Sequence, residues 1–240
     1  LGGIAVNVAH IYEQMGDAEA ALSALERGKA ATDHLRAPPA YEPQLLIRLR
    51  SVQAALQEDP AERRYIKPSY EDAIEAARQT ADPNAEALAW HLLGQEEMAA
   101  GNLEDAEAAL GQALRLRTSN APENLGFSYA ALGALRLAQA NRASGEERHR
   151  RAKEAEVLTQ RAIGLGSPGP PLSTLLHERG QIREALGQPS LALEDFRSAV
   201  NKAIEWSGAV PPARSLLTGA NVALQHEIFD SFVEAAARQA

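Results

Sequence analysis

The sequence predicts an all-α protein in which pairs of antiparallel helices repeat along the chain. Ala, Leu, Glu and Arg dominate the composition, and 45% of the 240 residues are hydrophobic. Segments that alternate Val, Ile or Thr with polar residues are missing, so we expect no β-sheet. Because one spacing of large and small residues recurs several times, the core is expected to extend along a solenoid axis.

The repeat is clearest between Trp90 and Thr118. Its characteristic residues are, in order, Trp90, Leu93-Gly94, the turn Gly101-Asn102, Ala106, Leu110 and Ala113. Antiparallel helices pack closely only where small residues stand at their crossing, and large residues then fill the space on either side. The pattern resembles the tetratricopeptide repeat (TPR), although Glu97 stands where that family usually has Tyr. The resemblance implies a right-handed superhelix of helix pairs.

We therefore predict one TPR-type α-solenoid domain over residues 1–240, with about eleven helices. Its predicted units are residues 2–35, a degenerate unit at 41–82, 84–118, 122–165 with an expanded turn, 171–207, and a terminal helix at 212–238. In the first unit, Tyr12 fills the aromatic position that Glu97 leaves vacant, and Gly16-Asp17 makes the turn.

Local signals place the ends of several helices. Pro38-Pro39 and Pro43 interrupt the helical pattern around the start of the second unit. Residues 44–56 then have the spacing of apolar residues that is typical of an amphipathic helix. Ser69 is predicted to cap the next helix, with Asp72 completing a capping box. Asp82-Pro83 combines an N-cap with a Pro in the first turn, so another helix is expected to begin there.

The composition excludes several classes of function. The chain has no Cys, which rules out disulfides, thiolate nucleophiles and Cys-ligated zinc. The formal net charge of −8 disfavours nucleic acid as the main partner, because phosphate neutralisation needs a basic face. No apolar run approaches the roughly 20 residues that cross a bilayer, and no signal peptide is visible. We expect no membrane association, a cytoplasmic location, and a segment of a longer protein.

Family geometry predicts which side chains line the concave groove. They stand at three places on the first helix of four units and are Val6, His10, Glu13, His91, Gln95, Met98, Ala130, Ala134, Leu137, His177, Gln181 and Glu184. No Lys or Arg is among them, so the resemblance does not extend to TPR cochaperones that clamp a C-terminal carboxylate. The groove is otherwise neutral, and Ala130, Ala134 and Leu137 form an apolar floor. Such a groove suits a protein partner that presents a peptide or helix. The alternative is that the terminal helix of this chain covers the apolar floor.

Three of these groove residues, His10, His91 and His177, raise the question of a metal or acid–base site. Neighbouring packed helices lie about 10 Å apart, and no ligand spacing within one helical turn supports such a site. The sequence also contains no Ser-His-Asp arrangement, zinc-protease motif or phosphate loop. We predict no metal, no cofactor and no catalytic residue, and expect that the chain is not an enzyme.

A basic cluster lies in the predicted expanded turn of the fourth unit, which begins at Asn141 to Gly145. It consists of Arg148, His149, Arg150, Arg151 and Lys153. Such a cluster suits an acidic partner or a phosphate. Four glutamates surround it at helical spacing, so an ion-paired and solvated face is favoured.

Two segments resemble helices of bacterial TPR arrays that are joined to CHAT domains, which are caspase-like peptidase modules. They are residues 21–30, reading ALSALERGKA, and residues 224–236, reading LQHEIFDSFVEAA. The sequence departs from the usual pattern at Gly28 and Thr32. The resemblance implies a regulatory or sensing arm of a peptidase, and no catalytic residue can be transferred because the family nucleophile is Cys.

Three classes of function compete. A protein-binding scaffold within a larger bacterial protein fits the repeats best. An enzyme would need a nucleophile–base pair or a cofactor loop, and a transcription regulator would need a helix-turn-helix with a basic recognition helix. Neither feature is visible. A homodimer through the terminal helix also stays open, since that helix is apolar enough to need a partner helix.

Overall fold

The computed structural model describes residues 2–33, 35–57, 66, 68–166, 170–209 and 219–238. The regular elements in these ranges are helical and include eleven α-helices, which confirms the predicted all-α class. They are α1 (Gly2–Gln14), α2 (Ala18–Thr32), α3 (Glu42–Leu56), α4 (Tyr70–Gln79), α5 (Pro83–Ala100), α6 (Leu103–Asn120), α7 (Leu125–Arg142), α8 (Gly145–Leu165), α9 (Leu172–Ala185), α10 (Pro189–Ala209) and α11 (Gly219–Ala237). A short 3₁₀ turn, Pro122–Asn124, precedes α7.

The chain divides into two compact units, Leu1–Ala121 and Pro122–Ala240. The first contains α1 to α6 and the second contains α7 to α11. The prediction of one continuous domain over residues 1–240 stays a prediction, and each unit is described by itself.

Each helix packs against the next one along the chain within its unit. The ranges predicted for the repeats, 2–35, 41–82, 84–118, 122–165 and 171–207, each contain most of two consecutive helices, and the division of the chain into these repeats stays a prediction. The predicted terminal helix is α11, and the part of that prediction between 212 and 218 lies outside the described residues. Helix α3 ends at Leu56, the last residue of the predicted amphipathic helix. The sequence also predicts a helix stop at Asp59-Pro60, and that dipeptide lies outside the described residues.

Small residues stand at the helix crossings, as the repeat spacing requires. A Cβ added at Gly94 would lie 2.6 Å from Cγ of Leu110, and one at Gly180 would overlap Cε1 of Phe196. Ala106 and Ala113 are fully buried between α5 and α6. The close approach within a pair therefore depends on residues that have little or no side chain.

The predicted helix starts agree with the structure. Ser69 and Asp72 form a reciprocal capping box at α4, with the Asp72 amide donating to the Ser69 hydroxyl at 3.2 Å. Asp82 accepts hydrogen bonds from the amides of Asn84 and Ala85 at the start of α5. Gly101 ends that helix at φ +87°, a left-handed conformation that side chains other than Gly rarely adopt.

The predicted expanded turn of the fourth unit is wrong. Helix α7 ends at Arg142, only Ala143 and Ser144 separate the two helices, and α8 begins at Gly145 and runs for 21 residues. The additional residues, from Glu146 to Lys153, extend α8 at its start. Ala, Glu, Arg and Lys have high helix propensity, and their ion pairs within one turn favour a helix over a loop.

Candidate peptide-binding surface

The twelve predicted groove residues differ in exposure according to their place on the first helix of each pair. The first place holds Val6, which is partly buried, and His91, Ala130 and His177, which are buried. The second and third places are accessible in whole or in part and hold His10, Glu13, Gln95, Met98, Ala134, Leu137, Gln181 and Glu184. The outward orientation expected for His91, Ala130 and His177 is therefore wrong, while Val6 and the eight residues at the other two places remain candidates for a binding surface.

Neighbouring helices explain why the first place is buried. Nδ1 of His91 lies 3.4 Å from Nη1 of Arg117, which reaches across from α6. Nε2 of His177 lies 2.9 Å from the hydroxyl of Ser231 on α11. Ala130 packs in a small core with Ala162 and Leu175. Sequence periodicity alone could not show these contacts, because they come from elements distant along the chain.

Burial keeps the two inner histidines neutral. It lowers the pKa of His91 to about 3, and the nearby Arg117 charge acts in the same direction. Burial also lowers the pKa of His177, an effect that the Glu227 carboxylate partly opposes. A neutral, enclosed imidazole is not available for proton transfer with a ligand on the surface.

His10 has a different environment from the inner histidines. Its side chain is exposed, and its Nδ1 lies 3.7 Å from the Glu13 carboxylate on the same helix. Glu13 also accepts a hydrogen bond from Arg48 of α3 at 2.6 Å. Within the described ranges, no group of three or more His, Asp or Glu side chains is placed to hold a metal ion.

Helix α11 contacts all three predicted groove residues of α9. Besides the His177–Ser231 contact, the Gln181 amide lies 3.5 Å from Glu227, and Arg238 donates to Glu184 at 2.7 Å. Apolar contacts place Ile228 against the α9–α10 pair, in a cluster with Leu176, Ala199 and Val200. In the second unit, the terminal helix therefore covers part of the predicted surface of α9.

Two buried ion-pair networks were not expected from the sequence. In the first unit, Arg50 is only 2% exposed, pairs with Glu96 of α5, and lies 5.2 Å from the ring centre of Tyr70. In the second, buried Asp195 of α10 binds Arg179 at 2.6 Å and Arg183 at 2.8 Å. Charged residues at inward helical positions are the signal that could have identified them. Both networks join helices within a unit and are structural.

The predicted ion pairing of the basic cluster is confirmed for two of its members. Arg150 binds Glu147 at 2.6 Å and Glu154 at 3.0 Å, while Arg151 binds Glu147 at 2.8 Å. These pairs lie three or four residues apart on α8, as the helical spacing predicted. Hydrogen bonds from both arginines lower the pKa of the Glu147 carboxyl.

The Tetratricopeptide repeat family profile matches residues 3–30 and 87–120, which are the α1–α2 pair and most of the α5–α6 pair. These two helix pairs are tetratricopeptide repeats. The match includes the segment from Trp90 to Thr118 in which the sequence pattern is clearest. No curated protein matches the chain.

Solved structures share the TPR fold over most of the chain. One is a single-residue variant of nearly identical TPR-like repeats from a kinesin light chain of Podosopora anserina, with 19% identity, a TM-score of 0.57, and coverage of 85% of this chain and 95% of the other. Another is BtubC (BKLC) from P. vanneervenii, with 19% identity, a TM-score of 0.56, and coverage of 85% and 80%. At this identity the likeness shows the fold, a TPR-type α-solenoid.

The comparisons bear on the other expectations only in part. They lend no support to an association with CHAT domains, which stays a prediction. In the part of the chain that the structure describes, no helix has the length and apolarity needed to cross a membrane.

Proposed function

We propose that this chain is a protein–protein interaction scaffold that binds a peptide or a helix along the first helices of its repeats. The observation that carries the proposal is the accessibility of the second and third predicted places on α1, α5 and α7, whereas α11 contacts those on α9. These places recur in register with the repeat, so their side chains form a periodic surface within each unit. We further propose a cytoplasmic protein that binds neither nucleic acid nor membrane.

The chemistry of these positions supports a peptide or helix with apolar anchor residues. In the second unit, Ala134 and Leu137 lie one helical turn apart and are partly exposed. In the first unit, Gln95 and Met98 have the same spacing, and the flexible Met side chain adapts to different partners. Because no Lys or Arg lies among these residues, a ligand held mainly by its C-terminal carboxylate is disfavoured.

The state of the buried histidines supports binding rather than catalysis. His91 and His177 are enclosed by neighbouring helices, and burial lowers the pKa of each. Neither can act as a general acid or base toward a surface ligand without opening of the helix pair. A scaffold that needs no metal or cofactor is consistent with these positions.

The proposal is tested by affinity capture from lysate of the source organism, with residues 1–240 as bait. The test variant carries Ala134→Glu and Leu137→Glu. A matched control carries Ala108→Glu and Leu165→Glu, which places the same two substitutions at exposed positions of second helices. We expect a protein that the parent and the control both capture and that the test variant loses.

Capture of the same proteins by all three baits would contradict binding at these positions. Circular dichroism of each bait shows whether the helical fold is intact, so that loss of binding can be separated from unfolding.

We also propose, from its exposed apolar residues, that α11 supports a homodimer. Phe229 is 39% exposed and Val233 is 62% exposed, and they lie one turn apart on one face. Sedimentation equilibrium of the parent and of a Phe229→Glu, Val233→Glu variant tests this. We expect a dimer that the variant abolishes, and a monomeric parent would contradict the proposal.

The second candidate function is the regulatory arm of a CHAT-type peptidase whose catalytic domain lies outside this chain. It rests on the resemblance of residues 21–30 and 224–236, which fall on α2 and α11. Sequencing the gene beyond Ala240 tests it. A following domain with a His and Cys pair would support the candidate, and a stop codon would exclude a catalytic domain on that side.

A further inference from the structure

A pocket of about 480 Å³ lies on the α7–α8 pair, within the second unit. Its lining comes from one residue of α7 and six of α8, namely Arg136, Arg150, Lys153, Glu154, Val157, Leu158 and Arg161. Only two of these residues belong to the basic cluster that the sequence indicated. The others join them because α8 is helical from Gly145 onward, so that residues three or four positions apart lie on one face.

Cations dominate the charge of this pocket. Its lining contains four cationic side chains and a single carboxylate, that of Glu154. Glu154 is bound by Arg136 at 3.0 Å and by Arg150 at 3.0 Å, which shows that these guanidinium groups are placed to hold a carboxylate. Among the described residues, no carboxylate pairs with Lys153 or Arg161, and both side chains are exposed.

Apolar surface lies beside these cations. Val157 is 54% exposed although it is a large hydrophobic residue, and Leu158 next to it is partly exposed. Arg161 stands 5.7 Å from the ring centre of Tyr129 on α7, which holds its guanidinium group at the edge of the pocket. An exposed apolar side chain between cations is suited to a ligand that carries both negative charge and apolar surface.

We propose that this pocket is a second docking site, separate from the first-helix surface, and that it binds an acidic peptide segment containing at least one apolar side chain. Carboxylates of the peptide pair with Lys153 and Arg161, and its apolar side chain covers Val157. Inorganic phosphate would leave Val157 uncovered. A nucleic acid is disfavoured because only Lys153 and Arg161 in the lining lack a carboxylate partner among the described residues, and two cations are too few to neutralise a run of phosphates.

The site is tested with a fluorescent peptide that contains Glu, Asp and Leu, and with the matching peptide in which Gln and Asn replace the acidic residues. Fluorescence anisotropy measures the binding of each to residues 1–240 at low and at physiological salt. We expect the acidic peptide to bind, with affinity that falls as salt rises, and the amide peptide not to bind. Absence of binding by the acidic peptide at low salt would overturn the proposal.

Matched charge reversals locate the binding. The double variant Lys153→Glu, Arg161→Glu is expected to bind the acidic peptide with an affinity lower by about tenfold or more, because each substitution replaces attraction with repulsion. The control, Arg115→Glu with Arg197→Glu, changes the net charge equally at exposed residues outside the pocket and is expected to keep affinity within about twofold. Equal losses in both variants would show attraction to the overall charge and overturn the proposal.

Two further binding measurements identify the class of ligand that the pocket binds. Val157→Ser is expected to lower the affinity for the acidic peptide by about threefold or more, since it removes the apolar contact and leaves the charge unchanged. Pyrophosphate at the same ionic strength is expected not to displace the peptide. Displacement by pyrophosphate together with an unaffected Val157→Ser variant would mean that the pocket binds phosphate groups rather than an acidic peptide.

Discussion

At the scale of single residues, the structure places several ionisable groups where burial opposes their charged form. His91 lies between α5 and α6 beside Arg117, and its pKa falls to about 3. Glu178 of α9 is largely buried, its Oε2 atom has no hydrogen-bond partner in the described structure, and burial raises its pKa to about 7. Such groups make folding stability depend on pH in directions that can be stated in advance.

His91 is expected to make the fold sensitive to acid. As pH falls from 6.5 toward 3, the unfolded chain binds a proton at this imidazole that the folded chain does not accept, so stability is lost over this window. His91→Gln removes the proton-binding group, and with it this contribution to the pH dependence of stability, while it keeps a polar group near Arg117. Urea unfolding at about pH 7 and pH 4 should show that the parent loses about 1–3 kcal/mol more than the variant. Equal losses would contradict a buried neutral His91.

Glu178 is expected to act in the opposite direction. Its pKa is higher in the folded chain, so stability is lost as pH rises from 4.5 toward about 7, where the unfolded carboxyl ionises first. Glu178→Gln should therefore stabilise the protein by about 1–3 kcal/mol at pH 8 relative to its effect at about pH 4.5. Urea unfolding of both proteins at the two pH values measures this. An effect of Glu178→Gln that is the same at both pH values would show that the carboxyl is not held neutral.

Residue-scale features were predictable from sequence only where they depend on neighbours along the chain. The Ser69–Asp72 capping box and the Asp82 cap were predicted because each is complete within four residues. The burial of His91 and His177 was not, because it depends on Arg117 and on α11, which the repeat spacing does not place.

At the scale of the helix pair, the fold depends on small residues at the crossings. In an exposed helix, Gly→Ala gains up to about 1 kcal/mol from helix propensity. At Gly94 the new methyl group would lie 2.6 Å from Cγ and 2.8 Å from Cδ2 of the buried Leu110. Overlap with a side chain that cannot move away should outweigh the gain in propensity.

We therefore expect Gly94→Ala to destabilise the protein, and Gly94→Leu to do so by about 1–3 kcal/mol or more. Gly111→Ala on α6 is the matched control, because its added Cβ would meet only Nη1 of Arg115, at 3.8 Å. Thermal unfolding should show opposite shifts for Gly94→Ala and Gly111→Ala. A stabilising Gly94→Ala would mean that the α5–α6 crossing is not as close as described.

Element boundaries were predictable where Gly, Pro and capping residues mark them, and less so where charged residues fill a segment. The polar segment from Asn141 to Gly145 predicts an expanded turn that continues through residues 146–153, yet these eight residues form the start of α8. Their Glu and Arg side chains pair within one helical turn, and this local pairing is as typical of an exposed helix as polarity is of a loop. The cationic pocket was missed for the same reason, since it exists only when these residues are helical.

At the scale of the whole molecule, the TPR-type solenoid class was predictable because large and small residues recur in the sequence at one spacing. The binding surface was predictable in part. The eight accessible positions follow from the repeat register, but the contact of α11 with α9 depends on how a terminal helix packs, which no repeat pattern determines.

The central claim, that a partner protein binds along the first helices, is tested most directly by photo-crosslinking. A benzoylphenylalanine is placed singly at Gln95 or Ala134 on first helices, or at Ala108 or Leu165 as controls on second helices. After irradiation in lysate of the source organism, the account predicts a discrete crosslinked protein from Gln95 or Ala134 that is missing from Ala108 and Leu165. Crosslinks of equal yield from all four positions, or from the two controls only, would contradict it.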